Sequence, residues 1–137
     1  MELVRVLVDS NVLVSAIVFD ANELKVIFDC MSRGHQLVIS EHIEEEVLRT
    51  MLAKFPEHAK LLHEFLSLGS FESITKAKYT VGIDKFDFVR DKHDRHVLAC
   101  AINAKCNIIV TGDKDLLVLK SCQGVEIINA KEAINAL

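Results

Sequence analysis

Residues 3–9 read L-V-R-V-L-V-D, an apolar run broken only by Arg5 and closed by an acid. Val and Leu without polar alternation predict a strand covered on both faces, because a half-exposed strand alternates apolar with polar positions. Such a strand belongs inside a parallel sheet, and parallel neighbours require crossover connections. The following residues supply them. Leu24, Ile27, Phe28 and Met31 fall at i, i+3, i+4 and i+7, which predicts a helix over 21–33 that Gly34 stops. L-V-I-S at 37–40 predicts a second strand, with Ser40 placed to cap the next helix. In that helix Ile43, Val47, Leu48, Met51 and Leu52 share one side, and Pro56 separates it from another over 57–68 that carries Leu61, Leu62, Phe65 and Leu66.

The segment 69–93 is less regular. F-E-S-I at 71–74 is compatible with a strand, and 75–90 with extended chain, a loop or a short helix. Beyond it, 94–105 reads as a helix with Val97, Leu98, Ala101 and Ile102 inward. N-I-I-V-T-G-D at 107–113 reads as a strand ending on a turn, 115–120 as a short helix, 125–128 as a strand and 129–136 as a last helix. Strands alternating with helices predict right-handed crossovers and a three-layer α/β/α sandwich around a mostly parallel sheet. No repeat, linker or low-complexity segment interrupts the pattern, so 1–137 is expected to be one domain.

Composition narrows the class. Half of the 137 residues are hydrophobic and mean hydropathy is +0.26, which excludes a disordered chain and allows a sizeable core. No apolar run approaches the ~20 residues of a membrane span. The opening M-E-L-V-R lacks a basic n-region, so a secretory signal is not expected and the cytoplasm is. Cys30, Cys100, Cys106 and Cys122 form no C-x-x-C pair and are expected as reduced, packed thiols. His93 and His96 flank Asp94 without an H-x-x-x-H or H-E-x-x-H pattern, and a solvated helix start accounts for them as well as a metal does. The net charge of −4 argues against binding nucleic acid through a basic surface. It argues less against a nuclease whose carboxylates meet phosphates through divalent cations.

The functional crevice of an open parallel sheet lies beyond the carboxyl ends of its strands. Asp9 directly follows the first strand and Asp113 a later one. Asp94 opens its helix, and its i+3 and i+4 partners Val97 and Leu98 aim it along the buried face. Glu46 lies at the edge of the apolar stripe that contains Ile43, although Glu44 sits deeper in that side, so periodicity alone does not select Glu46. Singly, each acid is explained by a turn, a helix cap or a solvated face. Jointly they converge on one sheet edge, and repelling carboxylates are costly unless they share a cation. Oxygen donors with few nitrogen or sulfur partners suit Mg²⁺ or Mn²⁺. Such a cage can acidify a bound water and steady an in-line phosphoryl displacement, which makes phosphodiester hydrolysis the expected chemistry and phosphatase activity a companion possibility.

Four segments carry a family resemblance: V-L-V-D-S-N-V-L-V-S-A (6–16), S-E-H-I-E-E-E-V-L (40–48), R-D-K-H-D-R-H-V-L-A-C-A (90–101) and V-T-G-D-K-D-L-L (110–117). In this order and spacing the chain resembles the PIN-domain family, in particular small prokaryotic members described as toxins of toxin–antitoxin modules. The first and last segments are the specific ones. The resemblance implies a catalytic metal site of Asp9, Glu46, Asp94 and Asp113 holding Mg²⁺ or Mn²⁺, and it is what selects Glu46 over its neighbours. It implies supporting roles for Ser10, Asn11 and Thr111, with Asp91 and Asp115 as auxiliary acids. It further implies endoribonuclease activity on single-stranded or loop RNA, a homodimer, and a small antitoxin laid over the acidic groove. The family often has Pro between the two acids of the third segment, where this chain has Lys92 and His93. Lys92, Arg95 and Lys114 stand near the acids as phosphate contacts or as solvated charges.

Other classes lack their residues. A receiver-like domain needs an Asp ending a central strand and a Lys ending a later one, where LVIS ends in Ser and VEII runs into Asn129. A haloacid-dehalogenase-type phosphatase needs D-x-D, and Asp9-Ser10-Asn11 lacks the second acid. No glycine-rich nucleotide loop is present. The alternative that remains keeps the fold without catalysis, as an RNA- or partner-binding PIN-like domain.

Overall fold

The computed structural model describes residues 2–19 and 21–137. At its centre is β1 (Arg5–Val8), whose Val6, Leu7 and Val8 are fully buried. On one side β1 pairs in parallel with β2 (Gln36–Ser40), which pairs with β3 (Glu72–Ile74). On the other it pairs in parallel with β4 (Ile108–Val110), which pairs with β6 (Val125–Ile128). A two-residue strand, β5 (Ser121–Cys122), closes that edge antiparallel to β6, giving the order β3-β2-β1-β4-β6-β5. The chain winds outward from β1 to β3, then returns to the far side of β1 for β4. The carboxyl ends of β1 and β4 therefore flank the point where the strand order reverses.

Helices cover both faces of the sheet, as the alternation predicts. A first helix, α1 (Ser10–Val18), lay outside the sequence expectation. Its SNVLVSAIV composition is rich in β-branched residues and shows no 3.6-residue stripe. Asp9 starts it nonetheless, as an N-cap accepting from Ser10 N at 2.7 Å. α2 (Asn22–Ser32) matches the expected helix but buries Val26, Ile27 and Cys30, leaving Phe28 and Met31 exposed. The helix packs against α1 and against α9 (Ala130–Ala136). α3 (Glu41–Lys54) is capped by Ser40, whose Oγ accepts from Ile43 N at 3.0 Å, as expected. Ile43, Val47 and Met51 are buried, while Leu48 and Leu52 from the same stripe stay exposed.

The expected helix over 57–68 is broken at Lys60 into α4 (Pro56–Ala59) and α5 (Leu61–Leu68). The segment left open holds α6 (Lys76–Tyr79) and a 3₁₀ turn at Ile83–Phe86. α7 (Lys92–Asn103) begins two residues before the expected start, because its N-cap is Asp91, which accepts from His93 N at 2.9 Å. Asp94 therefore belongs to the first turn and is not the cap. α8 (Lys114–Leu117) and α9 complete the fold, α9 through a reciprocal capping box between Asn129 and Glu132. All four cysteines are free thiols, and Cys30, Cys100 and Cys106 are buried. Among the described residues no helix is long and apolar enough to cross a membrane.

Candidate metal centre

At the carboxyl end of β1 the Asp9 carboxylate is fully buried and fully partnered. Its Oδ1 accepts from Ser10 N at 2.7 Å and meets His93 Nε2 at 2.9 Å. Its Oδ2 accepts from Thr111 Oγ1 at 2.7 Å and from Asn11 Nδ2 at 3.4 Å. Burial by itself would raise the Asp9 pKa. The bond to His93 and its charge, then Thr111 and the Ser10 amide, outweigh burial and hold the carboxyl below its ordinary value. His93 shows the reciprocal effect. Burial pulls its pKa down, but Asp9, Glu46 and Asp94 override burial and raise it to about 9.

The β1 and β4 ends are also knitted to each other. Thr111, with no exposed surface, donates to Asp9 and accepts from Asp113 N at 3.0 Å. Asn11 Oδ1 accepts from Gly112 N at 2.9 Å, and a Cβ on Gly112 would stand 3.2 Å from that oxygen. Ser10, Asn11 and Thr111 thus stand together at the carboxyl ends of β1 and β4, each holding a carboxylate or the loop that carries one.

Asp94 is the opposite case. It is fully buried on α7, yet neither carboxylate oxygen has a hydrogen-bond partner. Burial, then the hydrogen bond its protonated form shares with the Asp113 carboxyl and the Asp113 charge, push its pKa up to about 8, with Asp91 adding to the effect. Asp91, Asp94 and Asp113 each offer an oxygen, all within 4.8 Å of one another. Carboxylates this close, one of them dehydrated and unpartnered, fit a hard divalent cation such as Mg²⁺ or Mn²⁺. Asp91 and Asp113 keep one function each for the fold, since Asp91 caps α7 and Asp113 caps α8 by accepting from Asp115 N at 2.9 Å. Asp115 is exposed and contributes only that backbone donor.

Glu46 approaches from α3. It accepts a hydrogen bond from Ser10 Oγ, and its Oε2 lies 2.9 Å from His93 Nδ1. Glu44 and Glu45 turn elsewhere, toward Ser73 and Lys76. The four expected acids therefore fall into two linked groups. Asp94 and Asp113 cluster with Asp91, while Asp9 and Glu46 are joined through Ser10 and His93. A cleft of about 570 Å³ opens over both and is lined by Ser10, Glu46, Asp91, His93 and Asp113, with Thr50, Lys54 and Phe55 toward its α3 end.

His93 corrects the sequence reading. It is a half-buried bridge between Asp9 and Glu46, where a solvated helix start was one expectation. His96 is no surface residue either, since its ring stacks on His42 at 4.0 Å and its Nδ1 meets Tyr79 Oη at 2.9 Å. Arg95 is turned away from the acids and donates from Nε to the Val89 carbonyl at 2.6 Å. Lys92 and Lys114 are exposed. His42, Lys54 and Phe55 were missed because nothing in their local sequence separates them from ordinary helix residues.

An acid after each central strand, buried in Asp9 and half-buried in Asp113, met by carboxylates from the flanking helices, defines a class of proteins with acids gathered at the sheet's switch point. The PIN domain family model matches residues 5–115, and the chain belongs to that family. A chain in the crystal structure of VapBC2 from Rickettsia felis bound to a DNA fragment from their promoter shares the fold, with a TM-score of 0.65 and 16% sequence identity over 91% of this chain and 98% of that one. No curated protein matches the chain in sequence.

Proposed function

We propose that the chain, taken over 1–137 as one nuclease domain, is a metal-dependent endoribonuclease acting through Asp9, Glu46, Asp94 and Asp113 with Mg²⁺ or Mn²⁺. The observation that carries this reading is Asp94, a fully buried carboxylate with no partner beside two further acids. A fold does not keep such a group without a use for it. When bound, a divalent cation supplies charge against the phosphate and acidity to a water.

The remaining work falls to the chain's own groups. Asp94 and Asp113, with Asp91 beside them, would hold the cation. Thr111 and the Ser10 amide keep Asp9 ionised and fixed in direction. Glu46, braced by Ser10 and His93, stands where it can orient the attacking water or complete the ligand set. Lys54 and Phe55 suit one phosphate and one unpaired base of a substrate strand, which favours single-stranded or loop RNA over duplex. The family motifs and the likeness to a VapBC2 chain support the toxin of a toxin–antitoxin pair, acting in the cytoplasm. The partners of this reading are a small antitoxin that compensates the cleft's carboxylates with a basic side chain, and a second copy of the chain. The exposed Leu48 and Leu52 on α3 are in keeping with a protein contact.

The test is incubation of purified protein with a labelled RNA carrying single-stranded loops, in Mn²⁺, Mg²⁺ or EDTA, with Asp9→Asn prepared in parallel. Cleavage that requires the metal and vanishes in the variant is expected. A folded sample that binds Mn²⁺ and cleaves nothing would replace the nuclease with an RNA- or partner-binding PIN-like domain.

A further inference from the structure

Beside the acid cluster lies a second set of donors with different chemistry. His42 and Glu46 stand one helical turn apart on α3, and His93 faces them from α7. One donor atom from each lies within 4.8 Å of the other two. Two ring nitrogens of this set, His42 Nε2 and His93 Nδ1, are buried and make no hydrogen bond. Among the described residues few buried side-chain nitrogens make no hydrogen bond, and these two belong to residues gathered with Glu46, against whose carboxylate His93 Nδ1 already lies.

The geometry is close to what an ion needs. His93 Nδ1 and Glu46 Oε2 are 2.9 Å apart without hydrogen-bond alignment. Two ligands of a tetrahedral ion, each at about 2.0 Å, stand roughly 3.3 Å from each other, so this pair needs to open by only a few tenths of an ångström. The opposite nitrogen, Nε2, is held at 2.9 Å by Asp9 Oδ1. A carboxylate on the far nitrogen is the arrangement that orients metal-ligating imidazoles. His42 is set in place by stacking on His96 at 4.0 Å and 11°, and His96 by Tyr79.

We propose that His42, Glu46 and His93 form a binding site for one Zn²⁺-class transition-metal ion, distinct from the oxygen-only cluster of Asp91, Asp94 and Asp113. Two imidazoles and one carboxylate select a borderline ion over Mg²⁺, and three protein ligands leave a fourth position open to the cleft. The site goes beyond the nuclease reading and does not depend on it, although Glu46 is shared between the two.

The experiment is calorimetric titration of the metal-stripped full chain with Zn²⁺, and separately with Mn²⁺, in the wild type, His42→Ala, His42→Gln and Asp94→Asn. Thermal melts verify folding, and imidazole ¹⁵N shifts report which nitrogens take the ion. One Zn²⁺ equivalent is expected, with His42 Nε2 and His93 Nδ1 shifted. Either His42 variant should weaken Zn²⁺ by about a hundredfold, while Asp94→Asn, which removes a charge acting on His93 but no ligand, changes it by no more than about tenfold. Zn²⁺ binding unchanged in both folded His42 variants, or lost with Asp94→Asn alone, overturns the site. Loss of Mn²⁺ binding in Asp94→Asn is the separate expectation of the nuclease reading, so the two can fail independently.

Discussion

Asp9 and Asp94 are equally buried, yet the protein treats them in opposite ways. Around Asp9 every oxygen has a donor, from an amide, a hydroxyl, an amide side chain and an imidazole, and the carboxyl is held ionised. Around Asp94 no amide, hydroxyl or cationic donor reaches the carboxylate, and burial with the proton it shares with Asp113 pushes its pKa up to about 8. Burying a charge is tolerable where hydrogen bonds replace its water, and costly where they do not. The first region is held in place by the protein's own donors. In the proposed function a divalent cation would supply the compensation that the second lacks.

The largest effect that sharpens this contrast is on turnover. Asp94→Asn should lower metal-dependent RNA cleavage on the order of 10²–10³-fold, measured as initial rates at saturating Mn²⁺, because it removes charge from the seat of the ion. A variant with wild-type rates would place the ion elsewhere. Next in size is the stability of the metal-free fold after Asp9→Asn. Loss of the charge that pairs with His93 should cost about 3 kcal/mol in urea unfolding, whereas an unaffected midpoint would mean that the network around Asp9 carries little.

Asp94→Asn should do the reverse in EDTA. The folded carboxyl keeps its proton up to about pH 8, while an unfolded one loses it near the ordinary value of 3.8. The metal-free protein accordingly loses stability as pH rises through that window, and the amide escapes the loss. A gain of roughly 2 kcal/mol is expected at the alkaline end, shrinking toward acid pH. A variant no more stable than the wild type at any pH would remove the strain assigned to Asp94. The smallest effect is Thr111→Val, which leaves one Asp9 oxygen and the Asp113 amide short of a partner. It should cost about 1–2 kcal/mol with cleavage reduced but present.

How much of this was legible follows from where each residue's partners lie in the chain. Asp9 and Asp113 could be read because an acid closing a buried strand is placed by the strand itself. Asp94 was placed by its i+3 and i+4 neighbours, but its helix start was not, since Asp91 caps as well as any Asp does. α1 escaped notice because Val, Leu and Ile without a stripe suit strand as readily as helix, and only the Asp9 cap decides. β5 is two residues long, below what alternation can register. For His93 the sequence supports two readings, a solvated helix start and a metal ligand. Its partners Asp9 and Glu46 are distant in sequence and on other elements, so only the fold, which brings β1 and α3 to it, shows the bridge. The same holds for His42, whose significance lies entirely in what faces it from α7.

The most direct test of the central claim, that Asp94 is buried to hold a cation, is the thermal midpoint of the wild type and Asp94→Asn with Mn²⁺ raised to about a hundred times its Kd for the wild type. Binding at that level is worth about 2.7 kcal/mol, which for a chain of this size raises the midpoint by roughly 10 °C. The account predicts that rise in the wild type and its absence in the variant. An equal rise in both would show that the ion binds without Asp94 and would contradict the account.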